Sequence, residues 1–367
     1  MHIGIDARLT YYRRGGISTY ITRLIESLES LDTANRYTIL RSRKDTGATA
    51  GRLRQVPIWT PCHHPFERIT LSAELMRFNL DLLHTTDFIP PWRGARRHLA
   101  TIHDLTFLHY PDFLTNESRR YYNDQIAYAV DHADHLLTDS EASKRDLIAM
   151  LGVPEDKITV HLLGVDAAFR PLADEAIDAV RRDLSLPDRY FLFVGTWEPR
   201  KNLIGLGRAY RHLLDRHPDA PPLLIAGSPG WNFDATRAAL DALKLGDRLL
   251  WRESVAQDAL PALYNGALAL VLPSFYEGFG FPALEAMACG TVPIVSDRSS
   301  LPEVVGAVGL QVVPEDDMAI MAAMRRVWQD DAWRESQIAA GIARARQFSW
   351  ETTARIALSV YQRLLSA

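Results

Sequence analysis

The sequence of 367 residues predicts an α/β protein with two Rossmann-like domains. Short apolar runs alternate with amphipathic helical patterns along the chain, which is the order of parallel βα units. The chain is too long for one ordinary hydrophobic core, so two domains are expected. The strand-like runs also form two series, separated by a stretch without clear periodicity.

The N-terminal series begins with a strand over residues 2–7 and a helix over about 18–31, in which apolar side chains recur every three or four positions. Further strands are predicted at 37–40, 82–85, 98–102, 136–138 and 158–162. The second series is predicted at 190–195, 223–226, 249–251, 268–273, 292–295 and 309–312. The predicted domains are therefore 1–165 and 189–349, with a linker at 166–188 and a last helix from Trp350.

The composition is that of an ordinary soluble globular protein, with 47% hydrophobic and 23% charged residues. The formal net charge of -4 argues against a general nucleic-acid-binding protein. No apolar run reaches the roughly 18 residues of a membrane span, and the chain starts directly with a strand-like segment, so a cytoplasmic location is expected. Cys62 and Cys289 lie far apart, which predicts neither a disulfide framework nor a zinc site.

Positive charge is concentrated in the N-terminal part of the chain. Residues 1–100 contain 15 Lys and Arg against 9 Asp and Glu. There are two basic clusters, and the second lies next to Trp92: Arg41, Arg43, Lys44, Arg52 and Arg54, and Arg93, Arg96 and Arg97. Each cluster alone is typical of a solvated loop. Together they give a second hypothesis, in which the N-terminal domain contacts either an anionic membrane or a phosphorylated acceptor.

The most informative segment is 274–285, which reads Ser-Phe-Tyr-Glu-Gly-Phe-Gly-Phe-Pro-Ala-Leu-Glu. It follows an apolar strand-like run. Pro282 suits the first turn of a helix, and Gly290 suits a left-handed residue at the helix end. The order strand, glycine loop, helix is therefore predicted, with Glu277 in the loop and Glu285 in the helix.

This segment favours a polyol ligand. Gly278 and Gly280 let the backbone approach a ligand closely, and amides at the helix start, from Phe281 onward, favour anionic or electronegative oxygens. Glu277 would lie over the ligand, and Glu285 could accept hydrogen bonds from two neighbouring hydroxyls, as in a ribose diol. The alternative is that both glutamates are solvated surface charges, but the glycines and aromatic residues between them favour a function.

On these residues the chain resembles the retaining glycosyltransferases of family 4 (glycosyltransferase group 1), which carry a Glu-x7-Glu signature in a strand, loop and helix. The resemblance covers nearly the whole length. It includes the segments 14–18 (Arg-Gly-Gly-Ile-Ser), 102–104 (Ile-His-Asp), 193–202 (Phe-Val-Gly-Thr-Trp-Glu-Pro-Arg-Lys-Asn), 293–296 (Pro-Ile-Val-Ser) and 301–303 (Leu-Pro-Glu). It implies the GT-B fold: two facing Rossmann-like domains, a central cleft, and a C-terminal helix, 350–367, that crosses back onto the first domain.

The resemblance assigns the nucleotide-sugar donor to the second domain. Arg200 and Lys201 follow the strand that ends at Gly195, where they would neutralise the departing diphosphate if Glu285 holds the ribose. Thr196 stands where family members often have an arginine, so this assignment rests on Lys201 first and on Arg200 second. The predicted donor-binding residues are Gly15, Gly16, Gly195, Arg200, Lys201, Glu277, Gly278, Phe279, Gly280, Phe281 and Glu285.

In the first domain, His103 follows the strand over 98–102, and the resemblance implies that it contacts the transferred sugar near the reacting carbon. A buried structural histidine is the alternative. Gly15 and Gly16 lie directly between the first strand and the first helix, where their amides could reach the donor phosphate or close the acceptor pocket. The predicted catalytic residues are His103, Lys201, Arg200 and Glu277.

The predicted reaction is hexose transfer with retention at the anomeric carbon. Glycoside hydrolysis uses two carboxylates that flank the bond, whereas both glutamates here belong to one motif that, by resemblance, binds donor hydroxyls. We therefore expect a front-face displacement in which the leaving phosphate helps to deprotonate the acceptor. No Asp-x-Asp cluster indicates a divalent metal, and no cofactor is expected.

Segments 102–111 and 195–202 look most like bacterial mannosyltransferases of surface polysaccharide assembly. GDP-mannose is therefore the first expected donor, UDP-glucose the second, and a saccharide or lipid-linked saccharide the expected acceptor.

Three other functions are weighed against transfer. A nucleotide-sugar epimerase of GT-B fold would need acid and base residues around the sugar, and the Glu-x7-Glu context argues against it. A glycan-binding module without turnover is a second alternative, against which the intact Glu277, Glu285 and Lys201 speak. A dinucleotide-dependent oxidoreductase is disfavoured because no Gly-x-Gly-x-x-Gly follows the first strand.

Overall fold

The computed structural model describes residues 1–12, 15–45, 51–113 and 116–366. The chain divides into two compact units. The first contains the residues up to Gly164 and the C-terminal segment from Ser349, and the second runs from Val165 to Phe348. Arg14 of the predicted glycine loop and Ala367 of the predicted last helix lie outside the described residues.

Each unit is built on one parallel β-sheet. Within its described residues the first unit has seven strands: β1 His2–Asp6, β2 Arg36–Ser42, β3 Arg54–Ile58, β4 Leu80–Thr85, β5 Ala95–Thr101, β6 His135–Thr138 and β7 Ile158–Val160. The second unit has six: β8 Phe191–Trp197, β9 Leu223–Pro229, β10 Leu249–Glu253, β11 Ala269–Leu272, β12 Val292–Ser296 and β13 Leu310–Val312.

The strand orders are β3-β2-β1-β4-β5-β6-β7 and β10-β9-β8-β11-β12-β13. The direction of winding reverses between β1 and β4 in one sheet and between β8 and β11 in the other. In open parallel sheets, ligands bind beyond the carboxyl ends of the strands at such a reversal. We therefore expect a ligand site in the loops that follow β1 and β4, and in those that follow β8 and β11.

Helices connect the strands, and most of the longer helices bury an apolar stripe. In α2, for example, Tyr20, Ile21, Leu24 and Leu28 are buried at helical spacing. The helices are α1 Leu9–Tyr12, α2 Gly16–Leu31, α3 Glu67–Leu75, α4 Thr106–His109, α5 Asn116–His132, α6 Glu141–Leu151, α7 Asp174–Asp183, α8 Leu203–Arg216, α9 Phe233–Ala242, α10 Leu260–Asn265, α11 Phe281–Ala288, α12 Leu301–Val305, α13 Asp317–Gln329, α14 Asp331–Ala345 and α15 Trp350–Ser366.

The C-terminal helix α15 returns to the first unit, where it packs against α2 and β4. Its fully buried Tyr361 places its hydroxyl 2.7 Å from Nδ1 of His84, whose Nε2 lies 2.7 Å from Thr101 Oγ1. Burial lowers the pKa of His84 well below its usual value, so the ring is neutral and needs one donor and one acceptor. Thr353 Oγ1 also donates to the Leu162 carbonyl, at 2.7 Å. Polar as well as apolar contacts therefore hold α15 on the first unit.

Strand β3 is the main element that the periodicity of the sequence does not predict. Only its last residue, Ile58, is buried, and the strand includes Pro57. The strand lies at the edge of the sheet and pairs only with β2. Proline is tolerated at a sheet edge because one side of the strand makes no ladder hydrogen bonds. The strand is short, contains a proline and buries one side chain, so its apolar signal in the sequence is weak.

The structure also differs from the predicted linker at 166–188, because α7 lies inside that range and belongs to the second unit. Ile177 and Val180 in α7, and Leu184 just after it, are partly buried, whereas most of the helix is exposed. The helix packs against α10. The apolar side chains recur at helical spacing, but they are few in a short and highly charged segment, and the sequence analysis therefore assigns the segment to the linker.

Replacing Tyr361 with Phe tests the polar attachment of α15. We expect Tyr361→Phe to lower the free energy of unfolding by about 1–3 kcal/mol, because Nδ1 of the buried His84 loses its partner. The measurement is denaturant unfolding followed by circular dichroism. The exposed Tyr11 supplies the control, since Tyr11→Phe should change stability by less than about 0.5 kcal/mol. Equal stability of both variants would contradict the assigned role of the hydroxyl.

Candidate active site

The segment between β11 and α11 has the predicted order of strand, glycine loop and helix. Pro282 lies in the first turn of α11, and Gly290, just after the helix, has a φ of 82°, as the sequence predicts. Gly280 has a φ of 107°, and a Cβ added there would lie 2.6 Å from Leu301 Cδ2. Both the left-handed backbone and the close packing require glycine at this position.

Glu277 in this loop is bound by three side chains. Lys201 Nζ donates to both carboxylate oxygens, at 2.6 Å to Oε1 and 2.8 Å to Oε2. Ser274 Oγ donates to Oε1 at 2.7 Å, and Arg200 Nη1 donates to Oε2 at 3.2 Å. Both Glu277 and Lys201 are only 6% exposed. Burial alone would raise the pKa of Glu277, but the attraction to Lys201 and Arg200 outweighs it and lowers that pKa to about 2.

The two cations come from the single-turn helix Pro199–Lys201, which follows β8. Arg200 Nε donates to Glu198 at 3.0 Å, and its Nη1 also donates to the Tyr276 carbonyl at 3.1 Å. In return, the Phe275 amide donates to the Arg200 carbonyl at 2.8 Å. The loops after β8 and β11 are thus joined by backbone and side-chain contacts. The positive charges of Arg200 and Lys201 are balanced by the carboxylates of Glu198 and Glu277. Because these contacts already orient both cations, an incoming anion would bind to side chains that are in place.

Glu285 lies in α11 and has a different environment. Its Oε2 accepts a hydrogen bond from the buried Tyr264 hydroxyl at 2.8 Å. Burial raises the pKa of Glu285 to about 7; the Tyr264 hydrogen bond opposes this shift, and the nearby Asp166 carboxylate adds to it. The carboxyl group therefore exists in both protonation states near neutral pH.

Four further residues hold the loop or Glu285, and none of them is among the predicted site residues: Ser274, Ser299, Ser300 and Tyr264. Ser299 Oγ accepts from the Glu277 amide at 2.9 Å, and Ser300 Oγ donates to the carbonyls of Glu277 and Phe279 at 2.8 and 2.7 Å. Ser299 and Ser300 follow β12 closely, so the rule that sites form beyond strand ends could have found them. Nothing in the sequence points to Tyr264, because its partner is 21 residues away.

In the second unit, the predicted glycines and aromatic residues lie in β8 and in the loop and helix that follow β11. Gly195 lies within β8 with a φ of 153°, and a Cβ added there would be 3.8 Å from Lys201 Cε. Phe279 and Phe281 have ring centroids 5.4 Å apart in an edge-to-face arrangement. Gly278 lies beside them in the chain. These residues, with Arg200, Lys201, Glu277, Gly280 and Glu285, all belong to the second unit.

His103, Gly15 and Gly16 belong to the first unit. Gly15 precedes α2 with a φ of 150° and open space where a Cβ would be, and Gly16 is the first residue of α2. His103 Nδ1 lies 2.7 Å from Asp139 Oδ2, and its Nε2 lies 3.0 Å from the Thr86 carbonyl. Both ring nitrogens therefore face acceptors.

This geometry fits a charged His103. Burial alone would lower the pKa of His103, but the Asp139 carboxylate outweighs burial and raises it to about 9. Asp139 is itself buried, and its Oδ1 lies 3.2 Å from Nε2 of His161. An imidazolium donates from both nitrogens, which matches the two acceptors. Asp139 thus positions His103, a role that the sequence leaves open.

Within residues 1–12, 15–45, 51–113 and 116–366, no group of three or more His, Cys, Asp or Glu side chains is arranged to hold a metal ion. None of the helices described above has the length and apolar character needed to cross a bilayer.

The comparisons with known proteins agree with the fold and the motif. Residues 14–169 match Glycosyltransferase Family 4, and residues 177–344 match Glycosyl transferases group 1. The chain is 34% identical over 284 residues to the O-antigen chain mannosyltransferase B of Escherichia coli, which covers 77% of this chain and 74% of that protein.

Two solved structures share the fold. Sucrose-phosphate synthase from Thermosynechococcus elongatus superposes with a TM-score of 0.80 at 23% identity, covering 100% of this chain and 99% of that one. Anabaena HepE, in complex with UDP and glucose, superposes with a TM-score of 0.74 at 16% identity and covers 100% of both chains.

The two parallel-sheet units and these matches define a glycosyltransferase of GT-B fold. The chain belongs to glycosyltransferase family 4, also called glycosyltransferase group 1. The family predicted from the Glu-x7-Glu segment is therefore confirmed.

The buried ion pair between Lys201 and Glu277 can be tested by a double-mutant cycle. We expect Lys201→Met or Glu277→Gln alone to cost about 3–5 kcal/mol of unfolding free energy, because each leaves a buried charge without its main partner. The double variant should cost less than the sum, with a coupling of about 2 kcal/mol measured by denaturant unfolding. The exposed pair Arg211 and Asp215 in α8 is the control, with an expected coupling below about 0.5 kcal/mol. Additive losses at Lys201 and Glu277 would contradict the pairing.

Proposed function

We propose that this glycosyltransferase moves a mannosyl group from GDP-mannose to a saccharide or lipid-linked saccharide, with retention at the anomeric carbon and without a metal ion. The observation that carries the proposal is the similarity, over most of the chain, to an enzyme named as an O-antigen chain mannosyltransferase. The segments that resemble mannosyltransferases, 102–111 and 195–202, support the same donor.

We assign the diphosphate of the donor to Arg200 and Lys201. Negative charge develops on the leaving diphosphate as the glycosidic bond breaks, and oriented cations stabilise that charge most strongly where water is excluded. Lys201 is buried and Arg200 is held by Glu198 and the Tyr276 carbonyl, so neither side chain has to be ordered during the reaction. This preorganisation supports their catalytic role.

The two glutamates receive different roles. Glu277, with a pKa of about 2, stays ionised at every physiological pH and can accept hydrogen bonds from hydroxyls of the donor sugar. Glu285, with a pKa of about 7, is assigned to the ribose diol. Its carboxylate form accepts from both hydroxyls, whereas its protonated form must donate with one oxygen.

The charge on His103 bears on the choice of base. A histidine with a pKa of about 9 is already protonated at neutral pH, so it cannot accept the proton of the acceptor hydroxyl. This supports a front-face displacement in which the leaving phosphate takes that proton. The contact between His103 and the transferred sugar stays a prediction from the resemblance.

Donor choice, stereochemistry and metal dependence can be measured in one experiment. The purified chain is incubated with GDP-mannose, UDP-glucose or ADP-glucose and mannose-terminated oligosaccharides, with EDTA or with added Mg²⁺. We expect transfer from GDP-mannose to exceed transfer from the other donors by at least about tenfold. NMR should show an α-linked product, and EDTA should leave the rate unchanged.

Lys201→Ala is the matched variant in this assay, and we expect it to lower kcat about 100-fold. Preference for another donor would overturn the GDP-mannose assignment. A β-linked product would overturn retention, and loss of transfer in EDTA would overturn metal independence. Wild-type turnover by Lys201→Ala would remove Lys201 from the site.

The pKa of Glu285 predicts how nucleotide binding depends on pH. Below pH 7 the folded-state carboxylate becomes protonated, so calorimetric affinity for GDP should fall by about tenfold between pH 8 and pH 6. Glu285→Gln has no titrating group and should bind more weakly at pH 8 without this dependence. The terminal phosphate of GDP titrates equally with both proteins, so the difference between the two curves is the readout. Parallel curves would contradict the ribose assignment.

A further inference from the structure

A row of three polar side chains lies beyond the ends of neighbouring strands in the first unit. His103, Asp139 and His161 follow β5, β6 and β7, which are adjacent in the sheet. His103 Nδ1 lies 2.7 Å from Asp139 Oδ2, and His161 Nε2 lies 3.2 Å from Asp139 Oδ1. Each carboxylate oxygen of Asp139 therefore faces one imidazole nitrogen. The proposed reaction gives a role to His103 but none to His161.

The hydrogen bond between His161 and Asp139 has a defined direction. Burial alone would raise the pKa of Asp139, but the attraction to His103 and the hydrogen bonds from both histidines outweigh burial and lower it. An ionised carboxylate only accepts hydrogen bonds, so Nε2 of His161 donates. His161 is fully buried, and its Nδ1 has no hydrogen-bond partner among the described residues. Within that part of the chain, Asp139 is the one hydrogen-bond partner of the His161 ring.

Tyr20 of α2 packs against both imidazole rings. Its ring stacks on His161 with centroids 5.3 Å apart, and it meets the His103 ring edge to face at 5.1 Å. Tyr20 is fully buried, and its hydroxyl lies 3.0 Å from Thr101 Oγ1. The Tyr20 ring therefore limits the movement of both histidines.

His103 is also held at its backbone and at its second ring nitrogen. Ser143 Oγ of α6 donates to the His103 carbonyl at 3.1 Å. His103 Nε2 lies 3.0 Å from the Thr86 carbonyl. The main freedom left in the pair of His103 and Asp139 is rotation of the carboxylate, because the torsion at the end of an Asp side chain has a broad energy minimum.

We propose that His161 is a positioning residue for hexosyl transfer: by donating to Asp139 Oδ1 it fixes the plane of the carboxylate, and thereby the ring of His103. A functional side chain acts efficiently only when the groups behind it hold its orientation. His161 acts through Asp139. This inference rests on the proposed function, because it takes His103 to contact the transferred sugar.

His161→Phe tests this role, since it removes the donor and keeps a ring against Tyr20. The transfer assay uses whichever of the three donors gives the highest rate. We expect kcat to fall about tenfold and the KM for the donor to change less than about twofold. His161→Gln places an amide nitrogen near the position of Nε2, so it should restore kcat to within about threefold of wild type.

A second readout does not depend on turnover. In protein labelled with ¹⁵N-histidine, NMR follows the proton on His103 Nδ1, whose signal is identified by its absence in His103→Ala. We expect this proton to exchange with water at least about fivefold faster in His161→Phe than in wild type, because its acceptor is no longer fixed. His161→Gln should restore slow exchange.

The matched control is His135→Phe. His135 is also buried in the first unit, and its Nε2 lies 2.8 Å from Thr159 Oγ1. It begins β6, whereas Asp139 follows the other end of that strand. This control should lose folding free energy without a change in kcat or in exchange at His103. Circular dichroism checks that each variant is folded.

Equal losses of kcat in His161→Phe and His135→Phe would overturn the proposal, because they would show a general effect of lower stability. Wild-type kcat in His161→Phe, with His103→Ala impaired, would overturn the proposal alone. Wild-type kcat in His103→Ala would overturn the role proposed for His103 and this inference with it. Unchanged exchange in His161→Phe would overturn the inference even if no donor supports transfer.

Discussion

The buried ion pair between Lys201 and Glu277 is the constraint on which the second unit's site depends. The two residues are 76 positions apart in the chain, and each is almost fully buried. They meet because β8 and β11 are neighbours at the point where the sheet reverses its winding. Burying Lys201 or Glu277 without its partner would cost several kcal/mol of folding free energy, on the order of 3–5 kcal/mol. The loop after β8 and the loop after β11 therefore depend on each other. The pair therefore fixes both the shape of the loops and the direction in which their charges point.

Glu277 and Glu285 are identical side chains whose surroundings give them very different pKa values. Glu277 faces two cations and a serine hydroxyl, and its pKa falls to about 2. Glu285 is half-buried and accepts a hydrogen bond from the Tyr264 hydroxyl, and its pKa rises to about 7. Such divergence within one motif is typical of functional sites, where each carboxyl group has its own task. Glu277 therefore stays ionised at neutral pH, whereas Glu285 titrates there.

The first unit follows the same physical principle with a histidine. Asp139 at the end of β6 holds His103, and the charge on the buried carboxylate keeps the imidazole protonated. In both units a carboxylate beyond a strand end orients a cation in a site of low water content. These oriented charges agree with a transferase that positions its substrates and stabilises charge.

The sequence by itself determined the two Rossmann-like series, the strand, loop and helix around Glu277, and the family. These follow from short-range signals: apolar periodicity, glycine and proline placement, and the spacing of one motif. Only the tertiary structure decided that Glu277 pairs with Lys201, that Tyr264 holds Glu285, and that Asp139 holds His103. It also decided the edge strand β3 and the burial of His161 beside Asp139. The physical reason is that the pKa, the ion pairing and the exposure of a side chain depend on neighbours from distant parts of the chain. Local sequence patterns do not identify those neighbours.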